Sequence, residues 1–244
     1  MTHVVLLHGI GGAAWAPTLP ALVGHEAIDW PLPGYHGAPP LTETSFPAIA
    51  AALRDALDAR GVRRAVLLGH SIGGMVAQEF ALAFPDRVQA LILYATTPAF
   101  GGRDPAFAEA FLRARLGPLD AGKSMQEAAP EMLAGITAEG ADPAAMAAAV
   151  AALASVPERV YRATLRCLTT FDRRGDQARI AAPTLLIAAE QDPAAPLRTM
   201  ERMANAIPGA QLAVIPGAGH LAHLERPDVF NGVVARFLAA LPEG

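Results

Sequence analysis

Cysteine is almost missing from this chain: Cys167 stands alone among 244 residues. A single thiol excludes an internal disulfide and any cysteine-rich zinc site, and it fits a reducing compartment. Lysine is equally scarce, with Lys123 the one lysine beside 18 arginines. That bias, together with 54 alanines, suggests GC-rich coding. Positive charge is not in surplus: the formal net charge is −4. A general nucleic-acid footprint is therefore excluded. Charged residues are only 17% and aromatics 6%, yet hydrophobic residues reach 52%, which excludes a disordered chain. No apolar run approaches the ~18 residues needed to cross a bilayer, so no membrane partner is expected. The opening MTHVVLLHGIGG has no basic leader, and its apolar run stops at His8. It reads as a buried strand rather than a secretory signal, and a cytoplasmic location is the expectation.

What is present is an alternation of short apolar runs and helical patterns. Val4 to Leu7, Ala65 to Leu68, Val88 to Tyr94, Pro183 to Ala188 and Gln211 to Ile215 read as strands. Continuous apolar runs of this length fit a parallel sheet covered on both faces. Phe46 to Arg60, Met75 to Phe84, Leu197 to Ile207 and Pro227 to Leu241 carry helical spacing. Between Thr97 and about Gly175 the rhythm breaks, with no convincing strand and four expected helices: Pro105–Leu116, Ser124–Ile136, Pro143–Ala154 and Pro157–Phe171. Gly117-Pro118 reads as the stop of the first. The organisation expected is an α/β core over 1–96 and 176–244, carrying a helical cap over 97–175; simple packing of these helices on the sheet is the alternative.

The strongest local signal is Gly69-His70-Ser71-Ile72-Gly73, a G-x-S-x-G elbow between a strand and a helix. Such a turn holds the serine clear of the strand end, and its glycines avoid collisions with neighbouring elements. The helix start favours negative charge. A serine nucleophile needs a base and an orienting acid. Among seven histidines, His220 follows a strand in a Gly/Pro loop near the C-terminal end, last in the order Ser…acid…His; His223 is its near rival. Asp192 directly follows the fourth expected core strand, where open sheets place their chemistry. Glu190 is the alternative there, and nothing acidic lies in Tyr94 to Pro98. An oxyanion wants two preset N–H donors. Ile72, after the serine, and Ile10, in the loop His8-Gly9-Ile10-Gly11-Gly12, are the candidates. That glycine run lacks the GxGxxG spacing of a dinucleotide loop.

HGIGG, GHSIGG, the Asp192 turn and PGAGH220 together resemble the α/β-hydrolase superfamily over nearly the whole chain. GHSIGGMVAQEFALAFPDRVQALIL and TLLIAAEQD…PGAGHLAHLERPDVF are similar to small bacterial esterases and lactonases of the 3-oxoadipate enol-lactonase type. They also resemble hydrolases that cleave carbon–carbon bonds of meta-ring-fission products. The tryptophan often found just after the catalytic histidine of that second group is missing from Leu221-Ala222-His223-Leu224. A serine at 71 argues against haloalkane dehalogenases and epoxide hydrolases. The resemblance implies a mostly parallel sheet of about six strands flanked by helices, with an inserted helical cap. It also implies a serine hydrolase of a small ester or lactone, with neither metal nor organic cofactor. Family members often begin with a hairpin before the first HG strand; this chain starts directly at that strand, which is expected to be less protected at its edge.

Trp15, His36, Phe100, Arg162 and His223 are candidate substrate contacts, with Tyr35, Met125, Met132, Leu133 and Leu168 as further pocket residues. Arg162 and Arg166 share a helix face and either bind a substrate carboxylate or form a solvated face. Cys167 is expected to be an inert buried thiol. A homodimer is compatible with the sequence. A carbon–carbon hydrolase and a non-catalytic small-ligand binder are the alternative functions; a complete nucleophile, base, acid and donor pair argue against the second.

Overall fold

A computed structural model describes residues 2–101, 105–138 and 140–242. Six strands form one sheet: β1 (His3–Leu7), β2 (Glu26–Asp29), β3 (Ala65–His70), β4 (Val88–Tyr94), β5 (Thr184–Ala189) and β6 (Gln211–Ile215). Their order is β2-β1-β3-β4-β5-β6, and every neighbouring pair is parallel. Alternate side chains of the apolar runs feed two separate cores. Val5, Leu7, Leu67, Leu91 and Leu93 face one side; Val4, Leu6, Val66, Leu68 and Ile92 face the other. Both faces are covered, which is why these strands read as unbroken apolar runs.

The first core is closed by α1 (Phe46–Ala59), α2 (Ile72–Ala83) and α7 (Leu197–Ala206). Ser45 caps α1 through the Ala48 N–H, and Ile49, Leu53 and Leu57 form its buried stripe. The second core is closed by α9 (Pro227–Ala239) and the 3₁₀ segment Ala16–Leu22; a short α8 (Ala222–Glu225) precedes α9.

Between β4 and β5 lie α3 (Pro105–Asp120), α4 (Met125–Ala134), α5 (Pro143–Ala154) and α6 (Glu158–Leu168). The two ends of this block are stitched together. The Phe100 N–H donates to the Phe171 carbonyl at 2.8 Å, and the Arg173 N–H to that of Pro98 at 2.8 Å. Arg173 also forks onto the buried Glu79 of α2 at 2.7 and 2.8 Å. Such bidentate pairing fixes geometry as well as charge.

Three sequence expectations change. The first strand is interior, flanked by β2 and β3; the edges are β2 and β6. β2 escaped notice because Glu-Ala-Ile-Asp holds one buried residue, Ile28, and no apolar run. The acidic ends of this short strand suit an edge. Finally, α3 runs through Gly117-Pro118, because Leu116 and Leu119 are buried on either side of the pair and hold the last turn in place.

Candidate active site

The carboxyl ends of the central strands converge on one cavity of about 380 Å³. Its wall includes Ser71, His220, the His8–Gly12 loop and residues of α3 to α6. This size suits a small molecule.

Ser71 joins β3 to α2 with φ 54° and ψ −118°, a conformation that non-glycine residues rarely adopt. The turn is over-determined. The Ser71 N–H donates to the Tyr94 carbonyl at 2.9 Å, and Thr96 Oγ1 donates to the Ser71 carbonyl at 2.7 Å. A Cβ at Gly73 would lie 2.1 Å from the Leu7 carbonyl oxygen, and one at Gly69 would lie 2.5 Å from that of Gly73. Both glycines are therefore demanded by close approach of backbone to backbone.

Asp192, at the end of the β5 turn, is buried and accepts from the backbone N–H groups of Ala194 and Ala195 at 2.7 and 3.0 Å. Its other oxygen lies 2.8 Å from His220 Nδ1. The carboxylate thus fixes the proton on Nδ1 and leaves Nε2 as the lone-pair nitrogen. The His220 carbonyl accepts from Tyr94 Oη at 2.8 Å and from His70 Nε2 at 2.9 Å, while its N–H donates to Ile136 at 2.8 Å. Ser71 and His220 share the cavity wall, and no hydrogen bond joins them among the described residues. Glu190 is turned away, accepting from the Gly217 N–H at 2.8 Å.

The other neighbours are neutral histidines. His8 Nδ1 donates to the Gly9 carbonyl at 2.7 Å and Nε2 accepts from Leu32 N–H at 3.0 Å; burial pulls its pKa down to about 4. His70 is pushed well below the usual range by burial and by the nearby His220 and His223. Burial takes His223 down to about 3. His223 packs on Trp15 with ring centres 5.1 Å apart and faces Tyr94 Oη at 3.3 Å. The loop after β1 is held by Tyr35, whose hydroxyl donates to the Ile10 carbonyl at 3.1 Å.

Trp15, Phe100, His223, Met132, Leu133 and Leu168 line the cavity. Ile10 lies on the wall, and Ile72 opens α2, where a backbone N–H has no helical acceptor. Two expected contacts lie elsewhere. His36 stands outside the wall and accepts the Ala13 N–H at 3.1 Å, so it braces the loop. Arg162 is off the cavity, because Asp120 and Glu158 take its guanidinium at 2.6 and 2.7 Å. Arg166 is exposed, so this helix face is solvated. Tyr35 and Met125 are buried outside the wall. Cys167 is buried, which pushes its thiol up to about 11. Sequence reading missed Tyr94, His70 and Arg115, whose contacts depend on elements far apart in the chain.

The sequence model for the alpha/beta hydrolase fold matches residues 2–227. The chain belongs to this family. A Variovorax paradoxus strain S110 protein bearing the name carbamate hydrolase RutD is 34% identical to this α/β hydrolase, over 97% of the chain and 91% of the relative. A thermophilic esterase from Thermogutta terrifontis superposes with a TM-score of 0.89 at 25% identity, covering 99% of this chain and 90% of the esterase. Est816, described as an N-acyl homoserine lactone degrading enzyme, superposes with a TM-score of 0.78 at 27% identity, covering 97% and 93%. No described helix is long and apolar enough to cross a membrane.

Proposed function

We propose that this α/β hydrolase cleaves a small carboxylic ester or lactone through an acyl-enzyme on Ser71. The observation that carries this reading is the buried Asp192–His220 pair at 2.8 Å, with His220 sharing a cavity with a strained elbow serine. His220 Nε2 takes the Ser71 proton as Oγ attacks the carbonyl carbon. Asp192 holds the ring and stabilises its charged form. The Ile10 and Ile72 N–H groups receive the oxyanion. His220 then delivers the proton to the departing alkoxide, which leaves as the alcohol or, for a lactone, as the hydroxyl end of the same molecule. Water, deprotonated by His220, attacks the acyl carbon and releases the acid and Ser71. The block over 97–175 acts as a cap: α3 to α6 supply the apolar side of the cavity, which excludes bulk water from these steps. The esterase and lactone-degrading neighbours support this chemistry.

The relative named as a carbamate hydrolase supports a second reading, cleavage of a small carbamate by the same groups. Both readings are tested by steady-state turnover of p-nitrophenyl esters from acetate to octanoate, small lactones and small carbamates. Wild type is expected to favour esters or lactones, and Ser71→Ala to lose at least about 10⁴-fold in kcat. Near-wild-type turnover in Ser71→Ala would overturn the serine mechanism. A panel in which only carbamates turn over would replace the first reading with the second.

A further inference from the structure

Most of the cavity wall on the helical block is apolar, with Phe107, Phe111, Met132 and Leu165 among its members. Arg115 of α3 interrupts it. One arm of its guanidinium donates to the Met132 carbonyl at 2.9 Å, and its central carbon lies 5.7 Å from the Phe111 ring centre. Buried Tyr161 is a further neighbour, close enough for the arginine's charge to act on its phenol. No carboxylate pairs with Arg115 among the described residues. Among the described residues, the other arginines of this region with ion pairs hold them at the surface or at the block's exit: Arg162 with Asp120 and Glu158, Arg173 with Glu79, Arg174 with Asp172. An arginine cannot shed its charge by losing a proton, and among the described residues only one of its five N–H donors has a hydrogen-bond acceptor. A half-buried cation beside apolar walls gains most from an anion that brings planar, paired acceptors.

We infer that Arg115 binds a carboxylate carried by the substrate away from the scissile carbonyl, so that half-esters and acidic lactones are preferred over neutral ones. The inference rests on the serine-hydrolase reading for turnover. The position that sequence reading gave to Arg162 is thereby filled by a different arginine, one on the cavity wall.

The test compares monomethyl adipate with methyl hexanoate by proton release at pH 7.5, in wild type, Arg115→Gln, Arg115→Lys and Arg162→Gln. The quantity read is the ratio of kcat/KM for the acidic ester over the neutral one. Wild type is expected to favour the acidic ester. Arg115→Gln should collapse the ratio about 10- to 100-fold, the range for a hydrogen-bonded charge. Arg115→Lys should restore part of it, and Arg162→Gln should leave it unchanged. A wild-type preference for the neutral ester overturns the inference even if Arg115→Gln fails to fold, as does a ratio that Arg115→Gln does not move or that Arg162→Gln lowers equally. Ser71→Ala separates the two readings: turnover surviving in that variant sinks the serine mechanism, whereas turnover lost there with an unmoved Arg115 ratio sinks only the carboxylate subsite.

Discussion

Tyr94 shows how much a single hydroxyl can organise. Its Oη donates to the His220 carbonyl at 2.8 Å and lies 3.3 Å from both the N–H and Nδ1 of His223. Burial drives its phenol well above the ordinary range, so it remains a neutral donor throughout the working range. Tyr94→Phe leaves the His220 carbonyl with His70 as its one side-chain donor and strands the facing nitrogens of His223. The expected cost is about 1–3 kcal/mol in urea unfolding, with kcat falling about tenfold and KM moving less, as His220 loses its fixed placement. Unchanged kcat would show that Asp192, His70 and the Ile136 carbonyl position His220 without Tyr94. At this scale the sequence is readable where chemistry is written locally. Ser71 sits in a short pattern, and Asp192 and His220 each follow a strand. Tyr94 and Arg115 carry no such signature. The Tyr94–His220 contact spans 126 positions and arises from the strand order β4-β5-β6, which no local pattern records.

Among the elements, the turn around α8 is held by one buried carboxylate. Glu225 accepts from the Gly219 and Leu221 N–H groups at 2.8 and 3.0 Å, and from Ala138 of the helical block at 3.0 Å. It therefore ties the His220 loop to the cavity's other wall. Gly219 is forced by the same contact, since a Cβ there would meet Ala138 N and Ile136 O at 2.7 Å. Glu225→Ala strands three N–H groups and is expected to destabilise by at least about 3 kcal/mol in urea unfolding; Glu225→Gln, keeping one acceptor oxygen, should cost less. Equal, small losses in both would mean that water replaces the carboxylate. Element boundaries were legible in α1, where the apolar stripe marks the helix, and in α5, which spans the expected Pro143–Ala154; the structure adds the Ser45 and Asp142 caps, both satisfied by backbone N–H groups. They were not legible where tertiary burial overrode a local breaker, as at Gly117-Pro118, or where a strand's partner supplied what its own four residues lacked, as at β2 beside β1.

The molecule as a whole gathers three buried neutral histidines, His8, His70 and His223, into the cavity wall. Their ordinary pKa is 6.5, and in the fold two are lowered to about 4 and about 3 while His70 lies well below its usual value. Unfolded chains therefore bind protons at these positions that the folded chain refuses. By linkage, stability rises with pH wherever the unfolded state binds more protons. The contribution is complete above about pH 6.5 and is lost as pH falls below it, towards the depressed folded values. Each histidine adds a slope of about 1.4 kcal/mol per pH unit once the unfolded ring is protonated. Between pH 6 and pH 5 most carboxylates are still ionised, so this window isolates the histidines. Urea unfolding at pH 7.5, 6.5, 5.5 and 5.0 should give a flat upper limb and a steep fall approaching three protons. His223→Gln removes one proton from the unfolded state and should lower that slope by about 1.4 kcal/mol per pH unit. A profile flat down to pH 5, or a slope that His223→Gln leaves intact, would show that these rings admit protons in the native state. The polar wall behind Ser71 would then be open to water rather than held dry by the packing of Trp15, His70 and Tyr94.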